Sequence, residues 1–209
     1  MRQSHRAFGG RVGFYEHESA LLGGQARFSV FLPGKGAGPF PAVYFLAGLT
    51  CTEETAMMKS FALAHASELG LAFVTLDTSP RTARYEGDAD HWDFGVGAGF
   101  YVDATEAPWS ATYKMASYVT DELRLLCERF FPIASDRRGI TGHSMGGHGA
   151  LTLALRSPGL YRSVSAFAPI VAPSKVPWGQ KAFERYLGSD VSKWQEHDAC
   201  ALLESGRTH

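Results

Sequence analysis

The feature that most constrains this chain is the pentapeptide Gly142-His143-Ser144-Met145-Gly146. Gly139-Ile140-Thr141 before it reads as a short strand, and the residues from Gly146 to Arg156 read as a helix. A strand can turn into a helix that abruptly only if the residues two before and two after the serine are very small. The serine then stands exposed at the sheet edge in a strained backbone conformation. The positive end of the following helix points at it. The N–H of the next residue, Met145, is placed to stabilise an oxyanion. Glycine supplies 23 of the 209 residues, so the spacing alone could be a glycine-rich turn. The strand on one side and the helix on the other set it apart from such a turn and make Ser144 the candidate nucleophile.

The elements around this turn alternate. Gln25 to Leu32 reads as a strand, with Phe28, Val30 and Leu32 on one face. Pro41 to Ala47 is a continuous apolar run that suits a strand buried on both faces. Thr52 with Glu53 and Glu54 marks a helix start, and the spacing predicts one helix through Met57, Phe61, Ala64 and Leu69 to Gly70. Leu71 to Leu76 is another strand. Residues 78 to 109 are loop-rich, and a loop of that length inside a compact fold tends to be functional. Ser110 is a candidate cap for a helix carrying Met115, Val119, Leu123, Leu126 and Phe130. Ser163 to Ala168 is a last strand. Trp178 to Leu203 is mostly helical, with Asp190 as a cap. Such alternation predicts an α/β protein with a mostly parallel sheet and helices on both faces, and the serine elbow within it points to the α/β-hydrolase fold. No composition break marks a second domain, so residues 1–209 read as one domain.

Composition narrows the function classes. Apolar residues make up 45% and charged residues 20%, which fits a packed globular fold. The formal net charge is -1, without the basic field that nucleic acid or an anionic membrane would require. A small or neutral ligand fits better. Cys51, Cys127 and Cys200 are too scattered for a zinc site or a disulfide framework. With no signal-like leader or membrane-length apolar run, this points to a cytoplasmic protein with reduced thiols, no metal and no cofactor.

Leu46-Ala47-Gly48-Leu49-Thr50-Cys51 follows the buried strand and leads into a helix, where this fold supplies a second oxyanion N–H. Leu49 is the candidate donor, although the segment reads equally as a plain strand-to-helix turn. Cys51 is either a small buried hydrophobe or a thiol lining the site. A serine nucleophile also needs a histidine base and an acid to orient it, in the chain order serine, acid, histidine. His148 lies on the helix after the turn and is expected to point away. His197 is expected to cap or solvate its helix. Asp198 and His209 have the required order but no later strands to place them. No base or acid is assigned. His143 is expected to pack, with its side chain turned from the Ser144 hydroxyl.

The segments Tyr44-Phe-Leu-Ala-Gly-Leu-Thr-Cys-Thr-Glu53, Asp77-Thr-Ser-Pro-Arg81 and Gly142-His-Ser-Met-Gly-Gly-His-Gly-Ala-Leu151 together resemble the S-formylglutathione hydrolase (esterase D) family of serine hydrolases. Ala168-Pro169-Ile170, Pro177-Trp-Gly-Gln-Lys-Ala-Phe183 and Tyr186-Leu-Gly188 extend the resemblance over nearly the whole chain. It implies hydrolysis of the thioester S-formylglutathione to glutathione and formate, together with cleavage of short acyl esters. Ser144 matches the family nucleophile, and Leu49 and Met145 match the oxyanion amides. Cys51 matches a cysteine that makes members sensitive to thiol reagents. Trp178 matches an aromatic near the substrate pocket and reads equally as a packing residue at a helix start. By analogy with the family a homodimer is expected.

The family places its triad Asp and His after strands downstream of every motif quoted. The sequence is therefore expected to lack the last strands of the sheet and, with them, both residues. Two alternatives follow: a carboxylesterase with another acyl preference, because the pocket and not the nucleophile motif sets substrate choice, or an inactive fragment.

Overall fold

The computed structural model describes residues 1–209. One seven-stranded sheet organises it. Its strands are β1 (Gln3–Ala7), β2 (Gly10–Ser19), β3 (Gly24–Leu32), β4 (Phe40–Leu46), β5 (Ala72–Leu76), β6 (Ile133–His143) and β7 (Ser163–Phe167). Their spatial order is β1-β2-β3-β5-β4-β6-β7. The β5-β4-β6-β7 portion is parallel, and β1, β2 and β3 join it through antiparallel pairings. The sheet is thus mostly parallel, and the mixed edge belongs to an N-terminal hairpin that hydrophobic patterning does not reveal.

Alternation on the strands sends side chains to two cores. Ala42, Tyr44 and Leu46 of β4 and Val74 and Leu76 of β5 enter the larger core. Phe73 of β5 enters the smaller one, against which Val43 and Phe45 of β4 pack. Helices α1 (Glu53–Lys59) and α2 (Ala62–Leu69) cover the smaller core through Met57, Leu63 and Ala66. The larger core is covered by α4 (Leu123–Phe130), α5 (Met145–Arg156) and α6 (Pro177–Leu187). A short α3 (Met115–Ser117) leads into α4 through a π-helical turn at Tyr118–Glu122. The chain ends in α7 (Val191–Trp194) and α8 (Ala199–Glu204), with Leu202 of α8 packed in a small cluster with Leu155 of α5.

Several local expectations change. The predicted helix from Thr52 to Gly70 is two helices, because Phe61 between them adopts a left-handed φ of 55° and interrupts the hydrogen-bond ladder. Thr52 does cap the first of them: its hydroxyl accepts from the Glu54 N–H, and its own N–H donates to Thr55 Oγ1 at 3.1 Å. Ser110 caps no helix; it lies in a short turn at Trp109–Ala111, and α3 begins four residues later. Asp190 caps α7 through the Ser192 N–H at 3.0 Å. The loop-rich stretch from 78 to 109 has little regular structure yet is largely core. Phe94, Ala98, Phe100, Tyr101 and Val102 are all buried. Phe94 stacks on Tyr186 of α6 with ring centroids 4.7 Å apart, and the Tyr186 hydroxyl donates to the Ala98 carbonyl at 2.9 Å. These contacts fix the loop against α6.

Candidate active site

β4 and β6 pair in parallel with Leu46 opposite Gly142, so both strands end at the same edge of the sheet. That edge, at the carboxyl ends of parallel strands, is where α/β sheets bind ligands. β6 passes into α5 through Ser144, which sits at φ 58° and ψ −119°. This is a left-handed φ on a residue with a side chain, a conformation that persists only when its surroundings impose it. The Ser144 N–H donates to the Phe167 carbonyl at 3.0 Å, and its own carbonyl accepts from the His148 N–H at 3.1 Å. The flanking glycines let the turn close. A Cβ on Gly142 would meet the Gly146 backbone, and one on Gly146 would meet the carbonyls of Leu46 and Ala47.

The turn after β4 packs directly against this elbow. A Cβ on Gly48 would lie 3.2 Å from the Ser144 Cβ. The Cys51 N–H donates to the Gly48 carbonyl at 3.3 Å, which closes a tight turn with Leu49 and Thr50 at its centre. Met145 is the first residue of α5, so its N–H has no partner within the helix. Gly48, Leu49, Cys51, Trp92, His143, Ser144 and Trp178 together line a cavity of about 500 Å³. That volume suits a small-molecule ligand. Of the five residues picked from sequence, Ser144, Leu49, Cys51 and Trp178 line one cavity, and Met145 follows Ser144 at the start of α5.

Trp92 and His143 also line the cavity. Trp92 is 70% exposed and belongs to the long loop, and nothing in its local sequence points to the serine. His143 is exposed and lines the cavity, so the expectation that it packs is incorrect. Ser144 leaves the extended region at φ 58°, so strand alternation stops at the elbow and His143 lines the same cavity as Ser144.

No imidazole hydrogen-bonds to Ser144. His148 is fully buried beside Phe100 and Phe183, and neither of its ring nitrogens has a hydrogen-bond partner. Burial lowers its pKa from 6.5 to about 4, against the pull of Asp198. His197 neither caps nor solvates a helix, in contrast to expectation. Its Nδ1 lies 3.1 Å from an Arg156 guanidinium nitrogen, and burial followed by the Arg156 charge takes its pKa to about 3. Asp198 is wholly buried and caps α8, accepting from the Ala201 N–H and the Ser174 N–H and hydroxyl. Asp198 is therefore consumed in holding the backbone.

A strand–serine–helix elbow at the carboxyl edge of such a sheet, with a tight turn packed against it, defines the α/β-hydrolase fold. The esterase family model matches residues 19–208. An S-formylglutathione hydrolase of Mus musculus is 53% identical over 203 residues, which make up 97% of this chain and 72% of the mouse protein. One from Paracoccus denitrificans is 50% identical over 95% of this chain and 71% of its own length. The structure of an S-formylglutathione hydrolase from Agrobacterium tumefaciens superposes with a TM-score of 0.96 at 48% identity, covering 99% of this chain and 75% of that one. The chain belongs to the S-formylglutathione hydrolase family. No helix is long and apolar enough to cross a membrane.

Proposed function

We propose that Ser144 is the nucleophile of a thioester and ester hydrolase acting on S-formylglutathione and short acyl esters. The observation that carries this reading is the strained elbow, which presents Ser144 to a cavity opposite the Gly48–Cys51 turn. The names of the relatives supply the substrate class. In this reading Ser144 Oγ attacks the formyl carbon, and the C=O π electrons move to oxygen. The Leu49 and Met145 N–H groups donate to that oxyanion. Collapse expels the glutathione thiolate and leaves a formyl ester on Ser144, which water cleaves to formate. Cys51 and Trp178 form walls of the substrate pocket.

The attack needs a base for the serine proton. His148 is buried and His197 half-buried; both are held low in pKa, and neither is bonded to Ser144. We place the base and its orienting acid outside these 209 residues; the chain spans about 72% of the length of the mouse relative. The test compares the 209-residue chain with a longer chain that carries both groups. The longer chain should hydrolyse p-nitrophenyl acetate, and Ser144→Ala should abolish this. The 209-residue chain should retain only the residual rate given by binding and the oxyanion amides, with a deficit of several orders of magnitude. Unchanged turnover in Ser144→Ala would overturn the reading. A higher kcat/KM for S-formylglutathione than for an aryl acetate separates this assignment from that of a carboxylesterase of different acyl preference. A cytoplasmic location and a homodimer, testable by fractionation and light scattering, complete the proposal.

A further inference from the structure

The Gly48–Cys51 turn puts a backbone outlier at its third position, where a turn of this kind can require a positive φ. Thr50 sits at φ 66°, a left-handed conformation that a β-branched residue adopts only under constraint. The constraints come from the loops that follow β5. The Thr50 N–H donates to the Gly97 carbonyl at 2.9 Å, and the Gly97 N–H donates in turn to Ser79 Oγ at 2.7 Å. At the far end of the turn, the Cys51 carbonyl accepts from Thr78 Oγ1 at 2.6 Å and from Arg81 Nη2 at 3.0 Å. Arg81 is itself fixed. Its Nε lies 2.9 and 3.0 Å from the two Asp77 carboxylate oxygens, and its Nη2 lies 2.7 Å from one of them. Asp77 also accepts from the Thr78 N–H at 2.7 Å and is buried. A single guanidinium therefore ties a buried carboxylate at the end of β5 to the carbonyl of the neighbouring turn.

We propose that Thr78 and Arg81 are positioning residues for the hydrolytic reaction: by gripping the Cys51 carbonyl they hold the turn in its strained shape and keep the Leu49 N–H aimed at the cavity beside Ser144. This rests on the assignment of Ser144 and Leu49 made above. Neither side chain lines the cavity, so their effect reaches the reaction only through the turn. An amide that strengthens its bond as the oxyanion forms acts on the transition state rather than on substrate binding. Loss of the grip should therefore lower kcat and leave KM nearly unchanged.

The experiment measures p-nitrophenyl acetate hydrolysis by the full chain carrying its base and acid. Thr78→Val removes the hydroxyl and keeps the shape. It should lower kcat by about 10- to 100-fold, less than the roughly 100- to 1,000-fold seen when an oxyanion donor is removed outright, with KM within about twofold. Thr78→Ser restores the donor and should restore kcat. Arg81→Lys keeps the charge but loses the fork, and it should lower kcat without changing KM. A Thr78→Val protein with wild-type kcat, whatever its melting temperature, overturns the proposal, as does a loss seen in KM alone. Arg81→Ala leaves the buried Asp77 carboxylate without its guanidinium and so perturbs folding as well, which is why Thr78→Val decides. Activity that survives Ser144→Ala overturns the nucleophile assignment instead, independently of the turn variants.

Discussion

At the scale of single residues, the site depends on what is missing from a few positions. Gly146 packs so closely on the carbonyls of Leu46 and Ala47 that any Cβ there must displace the end of β4. That end is locked by the β4–β6 ladder and by the Tyr101 hydroxyl, which donates to the Ala47 carbonyl at 2.9 Å. Gly146→Ala is therefore expected to cost about 3 kcal/mol, the upper part of the range for overpacking a core. Urea denaturation measures this, and a loss under 1 kcal/mol would show that the elbow can relax around a methyl group. This is also why Gly142, Ser144 and Gly146 were legible in the sequence: the steric demand acts across five consecutive residues and leaves a fixed spacing. The grip of Arg81 on the Cys51 carbonyl, and the entry of Trp92 into the cavity, were not legible. They join residues far apart in the chain, and only the folded loops bring them together. His143 departs from expectation for a local reason: the alternation of a strand ends where Ser144 leaves the extended region, and both side chains reach the cavity.

At the scale of elements, the parallel strands were legible because burial on both faces leaves unbroken apolar runs, as in Pro41 to Ala47. The hairpin of β1 and β2 was not. β1 is polar except for Ala7, and β2 mixes Val12 and Phe14 with Arg11, Glu16 and His17. Its stability comes from pairing with β3, not from a pattern of its own. The break between α1 and α2 was hidden for the opposite reason. Met57, Phe61 and Ala64 match helical spacing, yet Phe61 is 80% exposed and left-handed. An L-residue with a Cβ pays roughly 1–2 kcal/mol for that conformation, and Asn tolerates it best after Gly. Phe61→Asn loses almost no buried surface and should raise the unfolding free energy by about 0.5–1 kcal/mol. An unchanged or lower melting temperature would mean that the exposed ring already compensates for the strained backbone.

At the scale of the whole molecule, the covering of the sheet by α5 and α6 has a consequence for acid stability. His148 on α5 is enclosed by Phe100 and by Phe183 of α6, with His197 and Asp198 nearby. Its pKa falls from 6.5 to about 4 in the folded state. Above pH 6.5 both folded and unfolded forms are neutral, and nothing is lost. As pH drops from 6.5 towards 4 the unfolded chain takes up a proton that the folded one refuses, so stability declines across that window. Below 4 both forms are protonated and the loss levels off. Between pH 7 and pH 5 this group alone accounts for about 2 kcal/mol. His197, shifted to about 3 and only partly exposed, adds in the same direction. Asp77 and Glu53 act oppositely, because burial raises both carboxyls and the folded state then binds the proton more readily as acid is added. Replacing His148 by Leu removes the titrating group and a buried ring whose two nitrogens have no partner. Unfolding free energies from urea titrations at pH 7 and pH 5 should differ by about 2 kcal/mol less in His148→Leu than in the wild type. Equal losses in the two proteins would place the acid sensitivity elsewhere, with the half-buried His197 and its Arg156 contact as the next source.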